Sequence, residues 1–413
     1  MNHRFVMVLG ILAILSCNKA KALDIDASKS PLGLLFDFAL ANFSPGPQLM
    51  AVGDNCSYFS SEDGVNWTVL QGAESPFPGC NGGSIYDVAY GNGTYVAVGT
   101  LTASYSTRSN NCGIWVSTDG TTWTRVLCPH GPTSGASAVV DLPLRSLSFG
   151  NINGVGTFMA AGLKIEMSSA GNIYGVKSSD GFNWEYTGIV SDYSIPSIFD
   201  FTCFITFLDG TAECSIENGS FFDVAKYNPN TGAWNFTTYP GGGTGVEAAG
   251  GIQQMAILAA TPPPNYSPRT FWMYPAKSGR YFSFGLGNTD SLAIASRRTP
   301  STPWETEKYL SLGINYRINA AADSSSMLLG LGDHCNWVKT TDDGANWTSF
   351  ATMTGCTRTD WADAAYNATL DLFVAVGKDV GGQIGKAHSP AATSDWQVTT
   401  TSLSGRINAI VSK

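Results

Sequence analysis

A phrase that recurs in register constrains this chain more than any other feature. "CSYFSSEDGVNW" (56–67) returns as "CNWVKTTDDGANW" (335–347), each with a cysteine five residues before a Ser or Thr, then Asp, Gly and Trp. "STDGTTW" (117–123) and "SSDGFNW" (178–184) are further copies. Weaker ones stand at "NPNTGAWNF" (228–236), "SRRTPSTPWET" (296–306) and "SPAATSDWQV" (389–398). Strands of one type precede these phrases: "LMAVGD" (49–54), "YVAVGT" (95–100), "FMAAGL" (158–163), "LLGLGD" (328–333) and "FVAVGK" (373–378). Ahead of them run others, as in "IYDVAYGNGTY" (85–95), "LRSLSFGN" (144–151) and "WADAAYNATLD" (361–371). Each unit therefore reads strand, turn, "VAVG" strand, loop, strand, Asp/Gly turn, Trp strand. That is a four-stranded meander.

A four-stranded sheet leaves two edges and two faces uncovered, and radial repetition covers most of both. The expected fold class is all-β, a β-propeller of four-stranded blades spanning 35–413 as one domain. Terminal tryptophans at 67, 123, 184, 234, 304, 347 and 396 give seven blades. Residues 198–305 are degenerate enough to leave six or eight open. Composition agrees, with 46 Gly and only 13% charged residues between short apolar runs. The last segment, "RINAIVSK" (406–413), resembles "YRINAAAD" (316–323), which opens a unit; it is expected to close the ring on the first blade. "FDFALANF" (36–43) competes for the same place.

Residues 1–16 read as an export signal, Arg4 followed by an apolar run too short to span a membrane. "ILSC" (14–17) resembles a bacterial lipobox, with Cys17 as the lipidated N-terminus and 17–34 as a tether. "AKA" (20–22) offers ordinary cleavage before Leu23 instead, giving a freely secreted chain. Apart from Cys17, eight cysteines fall in adjacent pairs, 56/80, 112/128, 203/214 and 335/356, and in an exported chain they read as four disulfides. CxxC spacing is absent and His is scarce, so neither a metal nor another cofactor is expected. A net charge of -9 with no basic cluster argues against nucleic acid. Nine N-x-S/T sequons (Asn42, Asn55, Asn66, Asn92, Asn218, Asn235, Asn265, Asn346, Asn367) would be glycan sites in a eukaryotic secretory pathway.

The repeated phrase Ser/Thr-x-Asp-(x)-Gly-x-x-Trp resembles the Asp-box, or bacterial neuraminidase repeat, of sialidases, sortilin-type propellers and photosystem II assembly factor-like propellers. "AYGNGTYVAVG…STDGTTW" is most similar to the last group. Its residue types are those of a turn. Asp63, Asp119, Asp180 and Asp342 are suited to accept backbone N–H bonds, and Gly64, Gly120, Gly181 and Gly344 to adopt positive φ. Trp67, Trp123, Trp184 and Trp347 are expected to bury a ring beside the next blade, with one N–H to satisfy. The resemblance implies that these turns join third and fourth strands, on the face opposite the usual ligand site. The cysteines would then staple the other end.

Function is thereby expected in the loops at the stapled end, where Tyr105, Arg108, His130, Asp333, His334, Trp337, Lys378 and Asp379 are the candidate ligand-binding residues. Sialidases resembling this repeat carry an "RIP" arginine motif, which is absent; "RIN" at 317 and 406 lies in repeat strands. No carboxylate pair for glycoside hydrolysis stands out. The sequence points to a monomeric, non-catalytic binding propeller for an extracellular or envelope protein or glycan, tethered to the membrane if Cys17 is lipidated. A sialidase-like glycoside hydrolase and an assembly or chaperone-like factor are the alternatives.

Overall fold

The computed structural model describes residues 46–103, 111–129, 144–165, 171–191, 203–208, 210–218, 221–240, 272–275, 280–286, 291–297, 305–311, 318–350, 353, 355–356, 360–377, 383–388, 396–401 and 405–413. All of them belong to one compact unit, 46–413. The lipobox, the signal and the competing segment 36–43 lie outside the described residues.

The strands follow the repeats. Blade 2 holds β4 (Ile85–Gly91), β5 (Thr94–Thr100), β6 (Cys112–Ser117) and β7 (Thr124–Val126). Blade 3 is β8 (Leu144–Ile152), β9 (Val155–Ile165), β10 (Gly171–Ser178) and β11 (Glu185–Ser191). Blade 4 is β12 (Cys203–Leu208), β13 (Thr211–Asn218), β14 (Phe221–Asn228) and β15 (Ala233–Pro240). Blade 5 is β16 (Trp272–Pro275), β17 (Tyr281–Leu286), β18 (Ser291–Arg297) and β19 (Glu305–Ser311). Blade 6 is β20 (Ile318–Asp323), β21 (Leu328–Gly332), β22 (Trp337–Thr340) and β23 (Thr348–Phe350). Blade 7 is β24 (Trp361–Asn367), β25 (Leu372–Gly377), β26 (Gln383–His388) and β27 (Gln397–Thr400). The chain's last strand, β28 (Ile407–Ser412), joins β1 (Leu49–Gly53), β2 (Ser57–Ser61) and β3 (Thr68–Leu70) to complete blade 1. The described residues thus form seven four-stranded antiparallel sheets in a β-propeller. First strands adjoin from β20 through β24, β28, β4, β8 and β12 to β16.

The core lies between blades. Leu49, Ala51 and Phe59 of blade 1 bury with Leu372, Val374 and Val376 of blade 7. Val96, Val98 and Ile114 of blade 2 bury with Leu147, Phe158 and Ala160 of blade 3. The "VAVG" strands are wholly buried because both of their faces meet neighbours, which is why they read as continuous apolar runs rather than alternating ones.

The four Asp turns are built alike. Asp119 Oδ1 accepts the Thr121 and Thr122 N–H groups at 2.7 Å, and Ser117 Oγ accepts the Gly120 N–H at 2.8 Å. Asp63 and Asp180 repeat both arrangements. Gly64, Gly120, Gly181 and Gly344 stand at φ between 70° and 85°, where a Cβ would be strained. The Asp342 copy carries one extra residue, Asp343, whose carboxylate meets Arg280 at 2.9 Å, beside blade 5. Every turn joins the third and fourth strands of its blade.

The tryptophans correct one expectation. They pack against the preceding blade, not the next one. Trp347 lies 5.7 Å from Phe282 and 5.8 Å from Phe284 of blade 5, and Trp123 lies 4.9 Å from Phe77, which follows blade 1. In two copies the turn supplies the reason: the indole N–H folds back onto its own glycine carbonyl, Trp123 to Gly120 at 3.2 Å and Trp184 to Gly181 at 2.6 Å. That hydrogen bond fixes the side of the sheet on which the ring lies.

Partial burial opposes ionisation of Asp119 and Asp180, but their backbone hydrogen bonds outweigh it and hold both carboxyls at about 2. A folded value below the unfolded one gives stability that is complete above about pH 4 and is lost as pH falls. Asp119→Ala is expected to cost about 1 kcal/mol at pH 7, the scale of a lost turn acceptor. Urea unfolding of the variant and wild type should converge as pH falls from 4 toward 2; a constant difference would contradict this account.

Candidate binding face

One end of the propeller concentrates the features that the Asp turns exclude from the other. Disulfides Cys56–Cys80, Cys112–Cys128 and Cys335–Cys356 span 24, 16 and 21 residues. Cys56 and Cys335 lead into β2 and β22, Cys112 opens β6, and their Asp turns lie at the far ends of those strands. Closing a loop of this size contributes about 3 kcal/mol in the chain-entropy model. Cys214 is also disulfide-bonded; its expected partner, Cys203, opens the neighbouring strand β12.

Five first strands carry a β-bulge at this same end. The pairing skips Tyr86 in β4, Arg145 in β8, Asn319 in β20, Ala362 in β24 and Asn408 in β28. A bulge adds one residue on one strand and re-aims its side chain. On adjacent blades, the Arg145 guanidinium sits 5.1 Å from the Tyr86 ring centroid, a cation–π stack.

The two asparagines are held by aspartates. Asn319 Nδ2 donates to Asp333 Oδ1 at 2.6 Å, and Asn408 Nδ2 donates to Asp54 Oδ1 at 3.2 Å and to the Ile85 carbonyl at 3.0 Å. After each aspartate the chain turns through two left-handed residues, Asn55 and Cys56 in one copy, His334 and Cys335 in the other. His334 is exposed, and its backbone N–H reaches across to Asp360 Oδ1 at 3.1 Å, just before blade 7.

Of the residues singled out in the sequence, Asp333 and His334 thus come together with Asn319 and Asp360. Trp337 is a correction: it is fully buried in the core shared by blades 6 and 7, 5.8 Å from Trp396, and meets no surface ligand. Its strand reads as a loop continuation in sequence but lies between two neighbours. Tyr105, Arg108, His130, Lys378 and Asp379 lie outside the described residues.

Sequence reasoning passed over Tyr86, Arg145, Asn319, Asn408, Asp54 and Asp360. A signal did exist for the asparagines. "RIN" occurs twice, and the units containing it are those whose "VAVG"-type strand ends in Gly-Asp and leads to a cysteine two residues later. Among the described residues no group of three or more His, Cys, Asp or Glu is placed to hold a metal ion. Nor is any helix long and apolar enough to cross a membrane. The disulfides fit an oxidising, extracellular environment.

No protein-family model and no curated protein matches the sequence. Among solved structures, YCF48 from Cyanidioschyzon merolae is similar at 13% identity and a TM-score of 0.50, covering 84% of this chain and 94% of that one. The GH93 α-L-arabinofuranosidase of Fusarium graminearum, in complex with arabinobiose, is 12% identical with a TM-score of 0.47, covering 79% and 92%. An α-L-arabinanase of Penicillium chrysogenum is 14% identical with a TM-score of 0.46, covering 72% and 89%. At these identities the likeness is one of fold.

Proposed function

We propose that this protein is an exported, non-catalytic propeller of seven blades that binds a protein or glycan partner through its stapled end. The observation that carries the reading is the convergence of disulfides, bulges and left-handed Asp-x-Cys turns on that end. Such cross-links and latches lower the entropy lost when a surface binds, which raises affinity without further contacts. The Tyr86–Arg145 stack supplies the side-chain types that most often dominate binding energy. The acids Asp54, Asp333 and Asp360 already accept hydrogen bonds from neighbouring strands or loops, which suits positioning better than acid–base work.

Glycan and extracellular-protein arrays probed with the purified chain test this. Arg145→Ala and Tyr86→Ala should each weaken capture at least about tenfold, on the scale of a binding hot spot. Phe182→Ala, exposed at the Asp-turn end, should leave capture unchanged. Loss of capture in Phe182→Ala alone would move the binding face to the other end. Turnover of fluorogenic sialosides or arabinosides, abolished by replacing Asp333 or Asp360, would replace this reading with a hydrolase. Export has two routes, and mass spectrometry of the N-terminus separates them: diacylglyceryl on Cys17 means a tethered protein, free Leu23 a secreted one.

A further inference from the structure

The Asp-turn end carries exposed apolar side chains that the turns themselves do not need. Val65 and Phe182 occupy the same position, just after the turn glycine, in blades 1 and 3, and stand 54% and 43% exposed. The Asp carboxylate and the Ser hydroxyl already meet the hydrogen-bonding demands of such a turn, and Thr121 fills the position in blade 2. Val155, at the tip of the β8–β9 hairpin on the same end, is 56% exposed. Asn92, in the β4–β5 turn, ties that hairpin to the Phe182 turn: its Nδ2 donates to the Gly156 carbonyl at 3.2 Å and to the Ser179 carbonyl at 3.0 Å. Among the described residues, the other large apolar side chain so exposed is Leu127, on the stapled end. The chain also enters the propeller at the Asp-turn end. Gly46 lies against the Asp119 carbonyl, leaving no room for a Cβ, and Pro47 packs beside Gly120. The Pro47 carbonyl accepts the Tyr95 hydroxyl at 2.8 Å. Blade 2, which receives this segment, stands between the two blades that carry Val65, Val155 and Phe182.

We propose that the Asp-turn end is a membrane-facing surface, on which Val65, Val155 and Phe182 enter the interface of a neutral phospholipid bilayer beside the point where the chain enters the propeller. The proposal rests on the tethered form described above. Three side chains are too few to hold a protein on a bilayer, but they orient one that an acyl chain already holds. The class of lipid follows from charge. Glu62, Asp63, Asp119, Asp180 and Asp342 stand at this end, while Lys177 and Arg280 are paired with Glu185 and Asp343. An anionic leaflet therefore repels the surface, and zwitterionic headgroups suit it. The turn carboxylates accept their own backbone N–H groups, so they rest at headgroup level without needing other partners. The consequence is a direction: the stapled end, with Tyr86 and Arg145, points away from the membrane toward its partner.

Hydrogen exchange read by mass spectrometry tests the surface separately from the anchor. Residues 18–413 are held on phosphatidylcholine vesicles by an N-terminal histidine tag on a nickel-chelating lipid, which stands in for an acylated Cys17. Amides in 61–66, 152–156 and 179–183 should exchange at least about threefold more slowly than in the same protein free in solution, while 124–128 on the stapled end keeps its rate. Combining Val65→Ser, Val155→Ser and Phe182→Ser, all at exposed positions, should restore the solution rates. Adding phosphatidylglycerol to the vesicles should reduce the protection. Unchanged exchange in the three segments, or slowing at 124–128 instead, overturns the proposal. A free Leu23 on the native N-terminus would overturn the tether, whereas unchanged exchange with the tag in place overturns the surface alone.

Discussion

Removing residues 406–413 is expected to abolish cooperative unfolding altogether. β28 is the last strand of the chain, yet it pairs with β1 along Leu49–Gly53 and supplies blade 1 with its first strand. Ile407, Ala409 and Ile410 are buried in the cores that blade 1 shares with its neighbours. The seam is also tied by polar bonds. Lys413 N–H donates to the Gln48 carbonyl at 3.0 Å, and the buried Asn367 donates to that carbonyl at 3.0 Å and to Ser412 Oγ at 3.1 Å. Asn367 is therefore one sequon that cannot carry a glycan in the folded protein. Without β28, β1 becomes an open edge and blades 7 and 2 face solvent across a missing strand. Calorimetry and near-ultraviolet circular dichroism should show no sharp transition in the truncated protein, and a peptide of residues 406–413 should restore one. A truncated protein unfolding at the wild-type midpoint would show that β28 does not close the ring.

Trp115→Ala should be the most damaging single substitution, at about 3–5 kcal/mol. Trp115 lies in β6 with no exposure, 5.4 Å from Phe77, and its indole N–H donates to the Pro78 carbonyl at 3.0 Å. Phe77 and Pro78 belong to the loop closed by the Cys56–Cys80 disulfide, so one ring joins the cores of blades 1 and 2 to a staple. Truncation leaves both a cavity and an unmet carbonyl. Gly113 is small for the same ring: a Cβ there would meet the Trp115 ring at 2.0 Å. Urea denaturation should place Trp115→Ala far below Val65→Ala, an exposed change expected to stay within about 0.5 kcal/mol of wild type. Equal midpoints for the two would refute this ranking.

Much of the fold is legible without coordinates because its signals are local. Ser117, Asp119, Gly120 and Trp123 meet within one turn, so their spacing alone carries their chemistry. The same holds for "VAVG", where burial on two faces writes an unbroken apolar run. Blades 4 and 5 are hard to divide in sequence because the Asp turn is lost there: at the end of β14, Asn228 caps its own turn through the N–H groups of Asn230 and Gly232. The candidate face is less legible. Residues chosen for chemical capability in variable loops included Trp337, which the neighbouring blade buries, and omitted Tyr86 and Arg145, which look like ordinary strand residues.

The meander, the Asp turns with their stapled far ends, and β28 as a strand able to close the ring are all legible in the residue order. Each depends on residues close in the chain or on a repeated pattern. Folding in three dimensions assigns the blade that receives each tryptophan, the residues that the bulges turn out, and the meeting of Asn367 with Gln48 at the closing seam. Those facts join residues of different blades, some more than 270 positions apart in sequence. Hydrogen bonds and burial act over a few ångströms, and only closure of the ring brings such residues within that range.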